Sequence, residues 1–118
     1  MKYVFLAYGD AQQWDTMSES ERAAFGNACL SNDEALRHSG HLLAVEALQS
    51  ERTAVTVRVQ SGKLCIGNGP FAETEAQLLG IFTINARDLN EAIQVAAQMP
   101  QARGGSIEVR PTVALDQL

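Results

Sequence analysis

The sequence predicts an α+β domain in which an antiparallel sheet packs against two helices. Short apolar runs rich in β-branched residues alternate with two longer amphipathic stretches, and each of these stretches starts with a helix-capping signal. The predicted elements also follow a strand, helix, strand order in each half of the chain. This combination is typical of the ferredoxin-like split β-α-β sandwich.

The first half of the chain supplies a strand, a helix and a second strand. Residues 4–10 form an apolar run closed by a glycine and an aspartate, as expected for a buried strand that ends in a turn. Ser18 and Glu21 have the spacing of a capping box, so a helix should begin directly after the serine, and Gly40 should end it. The apolar residues 41–48 predict the second strand.

The predicted first helix is amphipathic. Phe25, Cys29 and Asn32 fall on one face at helical spacing, together with further apolar residues. Asp33 and Arg37 lie largely outside this face. The pattern predicts that the first face packs inward and that the charged residues are solvated.

The middle of the chain predicts a β-hairpin. Residues 53–60 carry valine at positions 55, 57 and 59 with polar residues between them, so one face of this strand should be buried and the other solvated. A serine and a glycine at residues 61–62 predict a tight turn into a partner strand at residues 63–66.

The last part of the chain predicts a strand, a helix and a final strand. Residues 79–86 form the strand, and Gly80 within it predicts a bulge or a close backbone approach. Asp88 is the predicted cap of the second helix, and residues 106–110 form the final strand. The predicted apolar stripe of this helix consists of Leu89, Ile93, Ala96 and Ala97.

Length and composition predict a single domain spanning residues 1–118. A chain of this size should bury roughly 65% of the surface that its unfolded form exposes, which is enough for one core. The net charge of -5 disfavours nucleic-acid binding, because phosphate recognition needs clustered cations and the 9 Lys and Arg are spread along the chain. No apolar run approaches the ~20 residues that cross a bilayer, and the apolar start is too short for a signal peptide. We therefore expect a cytoplasmic protein without a membrane anchor.

The cysteines and histidines do not predict a metal site. Cys29 and Cys65 lack the close spacing of a metal or redox pair, so we expect free thiols. His38 and His41 lack the spacing that places two histidines on one helix face. We expect no disulfide, no metal ion and no organic cofactor.

Two segments resemble a known family. They are Gly-Asn-Gly-Pro-Phe-Ala-Glu-Thr at residues 67–74 and Ala-Arg-Gly-Gly-Ser-Ile-Glu-Val-Arg-Pro at residues 102–111. Together with the order of the pieces that precede them, they resemble the YCII-related family and its DGPF subgroup. The resemblance implies ferredoxin-like domains that pair through their sheets into a dimeric α+β barrel, with a pocket between sheet and helices in each subunit. It also implies a functional link to an extracytoplasmic-function sigma factor, which DGPF-type relatives often accompany.

The resemblance places two site residues, and this chain departs from the family at both. Relatives proposed to be enzymes carry a histidine on the first helix and a nearby acidic residue as an acid-base pair. Cys29 stands at the position of the histidine, and Asn68 stands where the motif that names the subgroup has aspartate. An amide does not exchange a proton near neutral pH, and a thiol needs a lowered pKa before it acts as a base or nucleophile. The acid-base pair is therefore missing in its ordinary form.

Five residues remain as candidates for ligand binding. Cys29 is either a nucleophile activated by a nearby cation or a small apolar residue packed on the helix. Asn68 either binds a ligand through its amide or occupies a left-handed turn between two glycines. Glu46 lies in an apolar strand, where it serves as a base or faces solvent, and Arg103, just before two glycines, contacts an anion or forms a surface salt bridge. Phe71 joins the set through its place in the motif.

Two functions from different classes follow from these residues. We favour an accessory homodimer that binds a small molecule weakly or not at all, linked to a sigma factor, because both ordinary titrating groups are absent. The alternative is a small lyase-type or isomerase-type enzyme acting on a polar organic molecule, with Glu46 or Cys29 in place of the lost histidine. Convergence of the candidate residues on one cavity would favour the enzyme, and dispersal would favour the accessory protein.

Overall fold

The computed structural model describes residues 1–72 and 74–118. Glu73, within the segment that carries part of the family resemblance, lies outside the described residues. The main elements are β1 (Lys2–Gly9), α1 (Ala11–Thr16), α2 (Glu19–His38), β2 (Leu42–Ala47), β3 (Val55–Gln60), β4 (Lys63–Asn68), β5 (Gln77–Asn85), α3 (Leu89–Gln98) and β6 (Ser106–Pro111). Short 3-10 turns lie at Glu51–Thr53, Pro100–Ala102 and Leu115–Gln117.

Four antiparallel strands form the central sheet. Their order is β2-β5-β1-β6, and the chain crosses from β1 to β2 through α2 and from β5 to β6 through α3. This arrangement agrees with the ferredoxin-like plan, so the predicted α+β class and antiparallel sheet are confirmed. The described part of the chain has one α-helix more than predicted, because the six-residue α1 precedes α2.

One side of the sheet carries the hydrophobic core. On β1 the alternate residues Tyr3 and Phe5 are almost fully buried, and their cross-strand partners on β5 are Ile84 and Phe82. Burying each side chain of this size stabilises the fold by about 1.5–3 kcal/mol. The core is completed by small and medium side chains of α3 and its flanks, namely Ala86, Ala92, Val95, Ala96 and Met99.

Both predicted helix-capping signals are present. The Ser18 hydroxyl accepts a hydrogen bond from the backbone N–H of Glu21 at 3.1 Å, and the Glu21 carboxylate accepts one from the backbone N–H of Ser18 at 3.1 Å. The Asp88 carboxylate accepts from the backbone N–H of Glu91 at 2.9 Å. α2 therefore begins where the sequence predicts, and it ends just before Gly40, whose φ is +84°.

α2 is the longest helix, and none of its residues is fully buried. Leu36 packs partly against the core. At the other end, the rings of Trp14 on α1 and Phe25 on α2 meet edge to face, with centroids 6.1 Å apart. An amphipathic helix of this length usually buries a continuous apolar stripe, so α2 is only loosely covered within one chain.

The apolar stripe predicted for α3 is only partly right. Ala96 is buried as predicted, but Leu89 and Ile93 are about half exposed and Ala97 is exposed. The buried face instead carries Ala92 and Val95 next to Ala96. Because α3 has apolar residues on two neighbouring stripes, periodicity alone does not decide which stripe faces the sheet.

β3 and β4 form a two-stranded ribbon that does not join the central sheet. Across the ribbon, Val57 pairs with Ile66 and Val59 pairs with Leu64. These four side chains and Val55 are 59–69% exposed. The hairpin itself is confirmed, but the buried valine face predicted for it is wrong within one chain, because the ribbon stands apart from the core.

The folded chain is flat and exposes more surface than its mass predicts. Its extents are 47 × 43 × 19 Å and its radius of gyration is 16.3 Å, whereas about 13.5 Å is expected for a compact domain of this length. Its accessible surface is 8611 Å², against roughly 6300 Å² for a monomer of this mass, which leaves an excess of about 2300 Å². The chain alone is therefore less compact than a typical monomer.

Candidate functional site

The predicted site residues do not come together within one chain. Cys29 lies in the middle of α2, Glu46 on β2, Asn68 at the end of β4, Phe71 in the loop after β4, and Arg103 in the loop before β6. Among the residues that the structure describes, no ion pair involves any of the five. None of them lines either of two surface clefts near the C-terminal end of α2. The placement is dispersed rather than convergent.

Asn68 does not occupy a left-handed turn. It is the last residue of β4, where it pairs with Val55 of β3. The positive φ belongs to the next residue, Gly69, at +98°. The amide of Gly69 donates to the carbonyl of Ala54 at 2.8 Å and closes the base of the hairpin. The left-handed conformation proposed for Asn68 is therefore wrong, because glycine adopts it without a steric cost.

Glu46 lies on the side of the sheet that faces away from the helices. It pairs with Ile81 of β5, and the row continues through Leu6 of β1 to Glu108 of β6. Side chains alternate between the two faces of a strand, so this row lies opposite the buried row that contains Phe5. Glu46 is exposed there, away from the space between sheet and helices.

Phe71 and Arg103 are exposed in loops. Phe71 is 77% exposed, and the guanidinium of Arg58 on β3 lies 5.7 Å from the centroid of its ring. This cation-π contact holds Phe71 beside the polar face of the hairpin. The backbone N–H of Arg103 donates to the carbonyl of Pro100 at 3.0 Å. The structure thus shows a structural contact for each of these residues.

The face of α2 around Cys29 carries titratable groups with perturbed pKa values. Burial raises the pKa of the Cys29 thiol, and the negative charge of Asp33 raises it further. Burial also raises the pKa of Asp33, an effect that the Arg37 guanidinium partly offsets. Residues four apart lie on the same face of a helix, which explains why these groups interact. Cys29 is therefore a neutral thiol near neutral pH, and this disfavours its role as a nucleophile.

Three buried polar atoms lack a hydrogen-bond partner within residues 1–72 and 74–118. They are Nδ2 of Asn32, Oδ1 of Asp33 and Oε1 of Gln101. Asn32 and Asp33 lie on α2, and α2 contacts the 3-10 turn Pro100–Ala102 that carries Gln101. Leaving such an atom unpaired costs roughly 1–3 kcal/mol, so buried polar atoms usually bind another protein group, water or a ligand.

We call Cys29, Asn32, Asp33 and Gln101 the α2 polar site. Its unpaired atoms comprise one amide donor and two oxygen acceptors. Atoms of these kinds are satisfied by hydroxyl or amino donors and by one acceptor. Asp33 is the member whose carboxyl group can exchange a proton, and its raised pKa brings that exchange closer to neutral pH.

Three members of the α2 polar site, Asn32, Asp33 and Gln101, are absent from the candidates that the sequence suggests, although the helical pattern places Asn32 on the inner face. The helical pattern assigns Asp33 to the solvated side, although its position four residues after Cys29 also fits the inner face. That spacing is the signal that could have identified it. No local pattern identifies Gln101, because only the contact between α2 and the turn Pro100–Ala102 brings it to this part of the fold.

A second group of polar residues joins the end of α2 to the start of α3. It lines a cleft of about 310 Å³, in which the two ring nitrogens of His41 lie 2.7 Å from Ser39 Oγ and 3.1 Å from Glu91 Oε1. The backbone N–H of Arg87 donates to Glu91 at 3.1 Å. This hydrogen bond and that of His41 hold the pKa of Glu91 below its usual value. These groups satisfy one another's hydrogen-bonding capacity, so we interpret the cluster as a structural link between the end of α2 and the start of α3.

The described residues offer no other obvious chemistry. No group of three or more His, Cys, Asp and Glu side chains within residues 1–72 and 74–118 could hold a metal ion. Both cysteines are free thiols. No helix in this part of the chain is long and apolar enough to cross a membrane.

Comparison with known sequences identifies the family. The YCII-related domain matches residues 1–116. An uncharacterized protein of Rhizobium meliloti (strain 1021) is 33% identical over 113 residues, a match that covers 94% of this chain and 91% of that relative. The chain belongs to the YCII-related family, as its two glycine-containing segments predict.

Proposed function

We propose that this YCII-related protein is a homodimer that binds a small polar organic molecule at the α2 polar site and does not use the acid-base pair of the family. The observation that supports the proposal is the set of buried polar atoms of Asn32, Asp33 and Gln101 without partners in the described chain. A ligand with matching donors and acceptors would supply the missing hydrogen bonds and stabilise the fold on binding.

The cost of keeping Asp33 at this place supports a ligand-binding role. Burial disfavours its charged form, as the raised pKa shows, and one of its oxygens has no partner within the described residues. The neutral isostere asparagine would avoid the part of this cost that comes from burying a charge. Proteins tolerate such locally unfavourable residues mainly where function requires them, which favours Asp33 as a ligand contact.

The open face of the central sheet supports the homodimer. Val4, Leu6 and Ile81 form its apolar centre, and charged residues lie at both edges. Glu46 lies on the β2 edge, and Glu108 on the β6 edge pairs with Arg110 at 3.2 Å. An apolar centre with a charged rim is typical of a subunit interface. The proposed assembly is the dimeric α+β barrel that the DGPF resemblance implies.

The excess surface supports association with a second copy. Each chain exposes about 2300 Å² more than a compact monomer of its mass. Obligate homodimers bury roughly 2000–5000 Å² in total, or about half of that on each subunit. A second copy would therefore cover an area of the size that this chain leaves open.

The DGPF resemblance adds an accessory role linked to an extracytoplasmic-function sigma factor. This role rests on the segment that ends β4 and forms the following loop, including Asn68 and Phe71. Co-purification tests this role, in cells that express tagged forms of both proteins at their native levels. Recovery of the sigma factor would support the role, and its absence would restrict the protein to ligand binding.

Asp33 favours one alternative function. A carboxyl group with a raised pKa beside a neutral thiol is a candidate general acid or base, so a lyase-type or isomerase-type reaction would use Asp33 rather than Glu46. Turnover of the bound compound, measured by product analysis at several pH values, distinguishes an enzyme from a binding protein. Binding without any product supports the accessory protein.

A thermal-shift screen of small hydroxy and amino compounds tests the ligand-binding proposal. Asp33→Asn removes the carboxylate, and Glu34→Gln makes the matched change at the neighbouring exposed acid. We expect a compound that raises the melting temperature of the wild type and the Glu34→Gln variant but not that of Asp33→Asn. Equal ligand responses of the two variants would overturn the site, and so would the absence of any response across the screen.

A further inference from the structure

We propose that the β3–β4 hairpin is an arm that packs its apolar face against a second copy of this chain. The proposal rests on the homodimer proposed above and adds the part of each subunit that crosses to the other. The hairpin is not part of the central sheet, so cover for the open sheet face does not by itself account for cover of the hairpin.

The two faces of the hairpin differ in chemistry. We call the apolar one the arm face, and it consists of Val55, Val57, Val59, Leu64 and Ile66. These side chains are 59–69% exposed in the single chain. The opposite face consists of Thr56, Arg58, Gln60, Lys63, Cys65 and Gly67. One face thus suits burial and the other suits water.

An isolated ribbon of this kind needs cover. A two-stranded hairpin is marginally stable in water unless it packs against another apolar surface. This hairpin is tightly closed, since Ser61 and Gly62 at its tip have φ values of +51° and +75°, as expected for a two-residue hairpin turn. With six residues per strand it forms a ribbon about 20 Å long. Within the described residues, no element of the same chain buries the arm face.

The amount of exposed surface identifies the second copy as the partner. The strands of the central sheet are six to nine residues long, so at a spacing of about 4.8 Å and a rise of about 3.4 Å per residue its open face has a footprint of only about 470 Å². Even when the additional area of the projecting side chains is counted, this face accounts for a minor part of the excess accessible surface of about 2300 Å². A two-fold symmetric dimer in which each subunit gives and receives an arm covers both surfaces with one partner.

The arm also explains the position of Asn68. Asn68 pairs with Val55 and therefore lies at the base of the arm face. Burial of that face against a second copy places the Asn68 amide at the boundary between subunits. Within one chain, Asn68 is not part of the α2 polar site. The residue that differs from the family motif then belongs to the subunit contact.

Two double variants test the arm. Val57→Glu with Ile66→Glu puts two charges on the arm face. Gln60→Glu with Cys65→Glu puts the same two charges on the opposite face, where the cross-strand neighbours are Lys63 and Arg58. Sedimentation velocity should show a dimer dissociation constant at least tenfold weaker for the first variant and within about threefold of wild type for the second.

The outcomes separate the arm from the dimer itself. Monomeric wild-type protein would overturn both proposals. Dimeric wild-type protein, with both double variants equally dimeric, would overturn the arm alone and leave the sheet contact in place. Circular dichroism establishes whether the arm-face variant is folded.

Hydrogen exchange on the wild type decides the proposal if that variant does not fold. The backbone amides of β3 and β4 should be protected at concentrations where the dimer forms, and dilution below the dissociation constant should speed their exchange at least tenfold. Rapid exchange of these amides in the intact dimer would overturn the arm, because an uncovered ribbon opens readily.

Discussion

Gly69→Ala isolates the cost of the left-handed backbone at the base of the hairpin. The φ of Gly69 is +98°, and a Cβ added there would meet no atom within 4 Å. The whole effect is therefore conformational rather than a clash. An L-residue pays roughly 1–2 kcal/mol in this region, and alanine recovers about 0.4–1 kcal/mol by restricting the unfolded chain. We expect a net loss of about 1 kcal/mol in the free energy of unfolding.

Gly67→Ala is the matched control. Gly67 lies in β4 without a positive φ, and a Cβ there also meets open space. Alanine should stabilise this position by about 0.5–1 kcal/mol, because glycine weakens a strand. Urea denaturation at one fixed protein concentration, which keeps any dimer contribution constant, should separate the two variants by about 1.5–2 kcal/mol. Equal stabilities would refute the claim that the backbone at residue 69 is left-handed and disfavours an L-residue.

Three further predictions follow from the same structure. Gly105→Ala should cost about 3 kcal/mol, since its Cβ would lie 2.6 and 2.8 Å from two backbone carbonyl oxygens, whereas Gly26→Ala in open helical space should be neutral or stabilising in the same urea titration. Cys29 should react with iodoacetamide more slowly than exposed Cys65, because burial raises its pKa; faster labelling of Cys29, measured by mass spectrometry, would contradict its packing role. The pKa of Glu91 is lowered by hydrogen bonds from Arg87 and His41, so its contribution to stability should be present above its usual value of 4.5 and lost as the pH falls through the lowered value. Glu91→Gln should weaken the dependence of the melting temperature on pH in this acidic range. An unchanged dependence would contradict the structural link between α2 and α3.

Local signals predicted the helix ends and the hairpin well. The capping box of Ser18 and Glu21 and the cap Asp88 act through neighbours three residues away, so the sequence contains all of the interacting groups. Gly80 was expected at a close backbone approach, and its Cβ would lie 3.3 Å from the carbonyl oxygen of Glu46. Turn and capping chemistry is local, which makes it predictable.

Burial was less predictable, because it depends on which surfaces meet. The alternation of apolar and polar residues correctly placed Val57 on the apolar face of the hairpin. It could not show that this face lies outside the core of its own chain. In α3, Ile93 and Val95 are both apolar, and only packing against the sheet selects Val95. Tertiary contacts decide such cases, and local patterns do not contain them.

The sequence candidates and the α2 polar site share only Cys29. The resemblance directed attention to Cys29 on α2, and the α2 polar site does include it. Asp33 needed the four-residue spacing to be weighed against its charge, and Gln101 needed the contact between α2 and a distant turn. Glu46 lies on the far face of the sheet because strand register, rather than apolar character, sets the direction of its side chain.

The mass of the wild-type protein in solution tests the central claim most directly. The fold leaves an open sheet face and an uncovered arm, and we propose that a second copy covers both. Light scattering coupled to size-exclusion chromatography at micromolar concentration should give twice the 12.8 kDa of one chain. A single species of 12.8 kDa at tens of micromolar would contradict the claim.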